Sequence, residues 1–321
     1  MTNKKKVLLT GSAGFICSNF IRKAIYEKQP YTFVSVDKIT RKENTLGNIY
    51  KNKDHPFYLA DITDSHIIDI IFESEKPEIV INFAAETAVD NSLSNPNLFI
   101  TSNVLGTQVL INAALKYGVE RFVQISTDEV LGHLTNENDL PWNEEALLNP
   151  RNPYSASKAS AELLIKAAHQ SHGLNYNITR SSNNYGPWQT SEKLLPKVIK
   201  CILNNESIPV FGTGSQIRDW TYVRDNNAAI LAILEKGKLN ETYNISANQE
   251  ITNIELIQKV CNLMGRGHDL ISFVNERPGH DFRYALDCAK IRELGWEPKY
   301  KLTEGLTETI NWYTRNNWFL K

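Results

Sequence analysis

The chain is predicted to fold as an α/β protein, a doubly wound parallel sheet with a smaller mixed α/β domain attached. Three observations carry that prediction. Short apolar runs alternate with amphipathic stretches through the first half, the pattern of successive βαβ units. A glycine-rich turn follows the first apolar run directly. After about Asn183 the pattern becomes mixed, with turn signals at Tyr185-Gly186-Pro187, Gly212-Thr213-Gly214 and Arg277-Pro278-Gly279.

Taken in order, the expected strands are Val7–Thr10, Phe33–Asp37, Phe57–Ala60, Ile79–Ala84, Arg121–Ser126 and Tyr176–Ser181. Helices are expected from Gly14 through Tyr26, over Ser65–Glu75, over Asn97–Tyr117 and over Tyr154–His172. A length of 321 residues is long for one compact core and suits two parts, residues 1–182 and 183–321. The apolar stretch Glu241–Ser246 reads as one more strand returning to the parent sheet, which makes the cleft between the parts the natural place for a ligand.

Composition removes several function classes. With 35 basic and 36 acidic residues there is no global field to recruit nucleic acid or an anionic membrane. Lys4-Lys5-Lys6 reads as a solvated leader before the first strand. The apolar run after it is too short for a signal sequence or a membrane span, so a cytoplasmic protein is expected. Cys17, Cys201, Cys261 and Cys288 are widely separated, which argues against a disulfide framework or a structural zinc site. His169 and His172 have no partner spaced to complete a site, and no metal is expected.

The turn Gly11-Ser12-Ala13-Gly14-Phe15-Ile16-Cys17 follows a strand and opens a helix, the context a dinucleotide fingerprint requires. Its glycines allow a tight turn and let backbone N–H groups approach a pyrophosphate at the helix start, as in a Rossmann-type fold. Cys17 stands where a third glycine is usual, at the position of close helix–strand packing. Asp37 ends the second strand, where an acid can accept both ribose hydroxyls and repel a 2′-phosphate; this favours NAD, while Lys38 and Arg41 leave NADP open. Asp61-Ile62 after the third strand is placed to hold the adenine edge, and Ala84-Ala85-Glu86 after the fourth lets the backbone approach the cofactor.

Ser126-Thr127-Asp128-Glu129, followed by Tyr154-Ser155-Ala156-Ser157-Lys158, supplies the chemistry. A lysine four residues after a tyrosine shares its helix face, so its ammonium can stabilise a phenolate and make the phenol a base near neutral pH. That suits removing a proton from an alcohol while hydride leaves the same carbon. Two adjacent carboxyls add elimination chemistry, one donating a proton while the other accepts one.

These motifs, with Ser182-Asn183-Asn184-Tyr185-Gly186-Pro187, Glu192-Lys193-Leu194-Leu195-Pro196, Arg218-Asp219-Trp220 and Arg277-Pro278-Gly279-His280-Asp281, resemble the extended short-chain dehydrogenase/reductase family over nearly the whole length. Within it they resemble the nucleotide-sugar 4,6-dehydratases of the dTDP-glucose type. The resemblance implies that Tyr154, with Lys158 and Thr127, takes the proton of the sugar 4-hydroxyl as NAD takes hydride from carbon 4. Glu129 then removes the carbon 5 proton, a protonated Asp128 donates to the departing 6-hydroxyl, and hydride returns to carbon 6. It also implies cofactor contacts from Ser126 and Ser181, and substrate contacts from Ala88, Asn183, Glu192, Lys193, Leu194, Arg218, Asn253, Arg277 and His280. The family's usual dimer pairs the helices expected at Asn97–Tyr117 and Tyr154–His172 in a four-helix bundle, so a homodimer is expected.

Four positions depart from the family pattern: Ala88, Asn91, Leu131 and Phe282. Smaller or apolar groups there are expected to enlarge the sugar pocket, which brings UDP-N-acetylglucosamine into consideration beside dTDP-glucose. A UDP-6-deoxy-5,6-ene-hexosamine would use the same apparatus without the elimination. A 4-epimerase leaves the paired carboxyls without a task, and a catalytically silent dinucleotide-binding protein leaves Thr127, Tyr154 and Lys158 without one.

Overall fold

The computed structural model describes residues 4–39, 55–276 and 279–320. Seven parallel strands form the main sheet: β1 (Lys5–Thr10), β2 (Tyr31–Asp37), β3 (Phe57–Leu59), β4 (Ile79–Asn82), β5 (Arg121–Thr127), β6 (Tyr176–Ser181) and β10 (Glu241–Ile245). Their order is β10-β6-β5-β4-β1-β2-β3. The chain winds outward from β1 in one direction through β3, then returns to β4 on the other side of β1. Connections after β1 and β4 therefore leave on opposite faces and open a crevice at the carboxyl ends of those strands. Register brings Thr10 beside Asn82, Asn82 beside Gln124 and Thr127 beside Ser181, so these strand ends meet along one edge.

Alternation along β1 shows why the sheet needs cover on both faces. Val7 and Leu9 pack with Phe20, Ile21, Ile230 and Ile233 beneath α1 (Phe15–Tyr26) and α7 (Val223–Lys236). Leu8 points the other way, among Ile71, Phe72, Leu110 and Ile165 of α2 (Ser65–Glu75), α4 (Pro96–Lys116) and α5 (Pro153–His172). Between α2 and α4 lies the short helix α3 (Val89–Ser94).

The helix expected over 97–117 is present but not uniform. Residues Ile100–Leu105 form a π-helical turn, which turns Asn103 into the protein, where its amide bonds Glu86 and Ser157. At Gly106 a Cβ would lie 2.5 Å from the Ile62 side chain, so a larger residue there would have to displace Ile62. Among the described residues Pro96–Lys116 is the one helix long and apolar enough to cross a membrane, yet its window is 56% buried against this core.

A second group of elements covers one end of the crevice: β7 (Asn183–Tyr185), α6 (Leu194–Asn204), β8 (Ile208–Phe211), β9 (Ile217–Tyr222), β11 (Glu250–Thr252), α8 (Asn253–Leu263), β12 (Ile271–Val274) and α9 (Leu302–Arg315). Strands β11-β9-β7 and β12-β8 form two small sheets around an aromatic core of Tyr185, Trp220, Tyr222 and Tyr313. Asp219 of β9 ties this group to the main sheet, accepting from Ser182 after β6 and Ser246 after β10.

Candidate active site

One cleft runs along the carboxyl edge of the main sheet, and the dinucleotide motif and the catalytic set both line it. At one end Gly11 has φ +63°, and a Cβ there would sit 2.7 Å from the Ala84 backbone. The turn can lie this close to the β4 connection only without a side chain. No side chain caps the start of α1, so its first N–H groups face the cleft as an anion cradle. Phe15, Ile16 and Cys17 line the cleft beside it, and Cys17 is also buried with Val7 and Leu9, where it serves packing.

Asp37 is oriented from both sides, accepting from the backbone N–H of Ala13 at 2.8 Å and of Ile39 at 2.7 Å. Lys38 Nζ lies 3.3 Å from Glu86 and 3.7 Å from Asp61, so two carboxylates compensate its charge. That leaves it poorly placed to attract a 2′-phosphate. Thr63 holds Asp61 through its N–H and hydroxyl, and Ile62, Ala84 and Ala85 complete this end. Arg41 and Arg277 lie outside the described residues.

At the other end β5 delivers Thr127, Asp128 and Glu129 into the cleft, and the first two turns of α5 deliver Tyr154 and Lys158. Thr127 Oγ1 donates to Asp128 Oδ1 at 3.0 Å and lies near enough to the Tyr154 phenol to lower its pKa. Asp128 is 4% exposed, and its Oδ2 is buried without a hydrogen-bond partner. Burial first, then the Glu129 charge, pushes its pKa up to about 8, so it carries a proton at neutral pH. Burial also raises Glu129, but the Asn152 amide, 3.2 Å from Oε2, and the charges of Lys193 and Arg218 oppose that rise. Both carboxyls are raised by burial, but their surroundings differ: Asp128 keeps a buried oxygen without a partner, while an amide donor and two cations partly offset the rise of Glu129.

The expected Tyr154–Lys158 pairing takes a different form. Lys158 donates to the Ile125 carbonyl of β5, and burial brings its pKa down to about 8 against the opposing charge of Glu162. Burial and the Glu129 charge push the Tyr154 phenol above its ordinary value, and only the Thr127 hydrogen bond opposes them. Making this phenol a base therefore requires positive charge beyond that of Lys158. Ser126 departs from expectation as well: it lines the cleft, but its hydroxyl donates to Glu162 at 2.6 Å. Glu162 in turn forms a fully buried ion pair with Arg180 at 2.9 Å. Ser181 lines the cleft and bonds Asn226 and Asn184.

Among the residues expected to hold substrate, Asn183 and Lys193 line the cleft, Asn183 with a buried amide oxygen lacking a partner and Lys193 bonded to the Thr87 carbonyl. The others stand back from it. Ala88 starts α3, Glu192 is exposed beside Thr190, and Leu194 packs on the aromatic core. Arg218 spends its donors on the carbonyls of Ile217, Asp281 and Phe282 and lies 4.3 Å over the Tyr284 ring. Asn253 bonds Gln216, and His280 bonds Glu276.

The expected widening of the sugar pocket finds little support in this placement. Leu131 is 2% exposed within the main core, because the short helix after Glu129 turns it away from the cleft. Asn91 is exposed on α3, and the Phe282 backbone is pinned by His133 and Arg218. Sequence reasoning also missed two residues. Asn103 is hidden by the π-helical turn, and Asn152 shows its capping role only as the Asn-Pro pair before a helix.

A seven-stranded dinucleotide-type sheet with a Thr/Tyr/Lys set at its carboxyl edge defines a short-chain dehydrogenase/reductase. More narrowly, the chain belongs to the GDP-mannose 4,6 dehydratase family, whose pattern it matches over residues 8–309. It is 41% identical to the low-salt glycan biosynthesis protein Agl12 of Haloferax volcanii, over 96% of this chain and 98% of that protein. It is 40% identical to a dTDP-glucose 4,6-dehydratase of Haemophilus influenzae, over 97% of this chain and 98% of that one. The crystal structure of DesIV, a dTDP-glucose 4,6-dehydratase from Streptomyces venezuelae with NAD and TYD bound, superposes with a TM-score of 0.93 at 35% identity, covering 98% of this chain and 99% of that one.

Proposed function

We propose that this protein is an NAD-dependent nucleotide-sugar 4,6-dehydratase whose substrate is of the dTDP-glucose type. The observation that carries the reading is the Asp128–Glu129 pair, a protonated acid beside a supported carboxylate, next to Thr127 and Tyr154 in a dinucleotide cleft. A 4-epimerase needs only the tyrosine end of this set. NAD, when bound in this cleft, would supply the hydride acceptor and, in its oxidised form, additional positive charge.

In this reading Tyr154 takes the 4-hydroxyl proton with the Thr127 hydroxyl beside it, and Lys158 contributes positive charge from its place on the Ile125 carbonyl. Glu129 removes the carbon 5 proton, made acidic by the new ketone, and Asp128 protonates the leaving 6-hydroxyl. Asn183 and Lys193 line the part of the cleft next to the carboxyls, where a sugar diphosphate would lie. The cofactor is regenerated in each turnover. Homodimerisation through α4 and α5 is part of the proposal, since Ile100, Leu105 and Leu163 on these helices are each at least 50% exposed. A cytoplasmic location fits the chemistry, because NAD and nucleotide sugars are intracellular metabolites.

Comparing turnover of dTDP-glucose and UDP-N-acetylglucosamine tests the substrate. The proposal expects dTDP-glucose to be preferred and its product to lack one water. Preference for the acetamido sugar would move the substrate class, and a product of unchanged mass would move the reaction class to isomerisation.

A further inference from the structure

We propose that Asn152 favours ionisation of Glu129, the carboxyl read as the base, through the same side chain that caps the catalytic helix. The inference rests on the dehydratase reading for its purpose, but its physical content does not depend on turnover. Asn152 is the N-cap of α5, two residues before Tyr154. Its Oδ1 accepts from Ser155 N–H at 2.8 Å, and Ser155 Oγ lies 3.2 Å from the Asn152 N–H, completing a capping box. The cap fixes the amide orientation, because a flipped amide would set an NH2 against the Ser155 N–H. With Oδ1 so committed, Nδ2 faces Glu129 Oε2 at 3.2 Å.

Asp128, one residue away, also has one side-chain donor, the Thr127 hydroxyl on its Oδ1 at 3.0 Å, while its Oδ2 is buried without a partner. An amide donor favours the charged form of the carboxyl it touches. Two cations act on Glu129 as well. Arg218 draws down both Asp128 and Glu129. Lys193 lowers Glu129 from α6, while Asp281 opposes it, and Asp128, Tyr154 and Tyr284 each feel its charge as unfavourable. Asn152 is therefore a positioning residue that couples the entry of α5 to the protonation state of the base.

The test uses the full chain with carbon-13 carboxyl-labelled glutamate, the Glu129 resonance being assigned by its loss in Glu129→Gln. Asn152→Ser retains a capping hydroxyl but is too short to reach Glu129. Its unfolding temperature is expected to match the parent, while the Glu129 titration midpoint rises by about one pH unit, the equivalent of one hydrogen bond to a charged group. Asn152→Asp also keeps the cap but presents a carboxylate, and the midpoint rises further. An unchanged midpoint in both variants overturns the proposal and leaves Asn152 a helix cap only. Failure of the dehydratase reading would appear separately, as a parent protein that does not dehydrate any nucleotide sugar while the titration shift persists.

Discussion

Replacing Asp128 by asparagine tests the electrostatic core of the site through stability alone. Asp128 is moved from an ordinary value of 3.8 to about 8, chiefly by burial. Between those values the folded chain binds a proton that the unfolded chain does not, so this residue makes stability fall as pH rises through that window and level off above it. At pH 7, roughly three pH units above the ordinary value, the cost is on the order of 4 kcal/mol. An asparagine side chain at this position has the same shape without that cost. D128N is therefore expected to be more stable than the parent at pH 7, by up to about 4 kcal/mol, less whatever its unpaired amide hydrogens cost. The stability difference between variant and parent should grow from pH 5 to about 8 and then stay constant. Urea unfolding followed by tryptophan fluorescence at a series of pH values measures this directly. A variant less stable than the parent at pH 7, or a difference flat with pH, would refute the claim that Asp128 is held protonated.

Arg180→Ala leaves Glu162 charged and unpaired inside the protein, and urea unfolding should show a loss of about 3–5 kcal/mol. Gly11→Ala places a Cβ against the Ala84 backbone at a positive φ, and calorimetric titration should show NAD binding at least about tenfold weaker. Leu163→Glu puts a charge on the exposed face of α5, and sedimentation should shift from dimer to monomer if that face joins two subunits.

The sheet was legible because both of its signals are local. Each strand is a short apolar run, and each joins a helix with its own period, so all seven strands of the main sheet were expected within a few residues of their observed limits. The edge strand Glu241–Ile245 was readable for the same reason. The π-helical turn at Ile100–Leu105 was not, since one extra residue in a helical turn leaves the apolar spacing nearly unchanged. The catalytic set was legible from residue type and spacing, yet spacing alone placed the Lys158 ammonium under Tyr154, when the nearby Ile125 carbonyl takes it. Arg218 shows the complementary limit. A guanidinium in a binding motif looks like a ligand contact, and only the fold reveals that backbone carbonyls of 217, 281 and 282 occupy its donors. Leu131 shows a similar limit: it departs from the family pattern, but the short helix that carries Glu129 points it into the core and away from the pocket.

The central claim is that one cleft oxidises carbon 4, eliminates across carbons 5 and 6, and returns the same hydride. Incubating the protein and NAD with dTDP-glucose deuterated at carbon 4 tests it most directly. The account predicts a product lighter by one water, with the label moved to carbon 6. A product of unchanged mass with the label still on carbon 4 would contradict it.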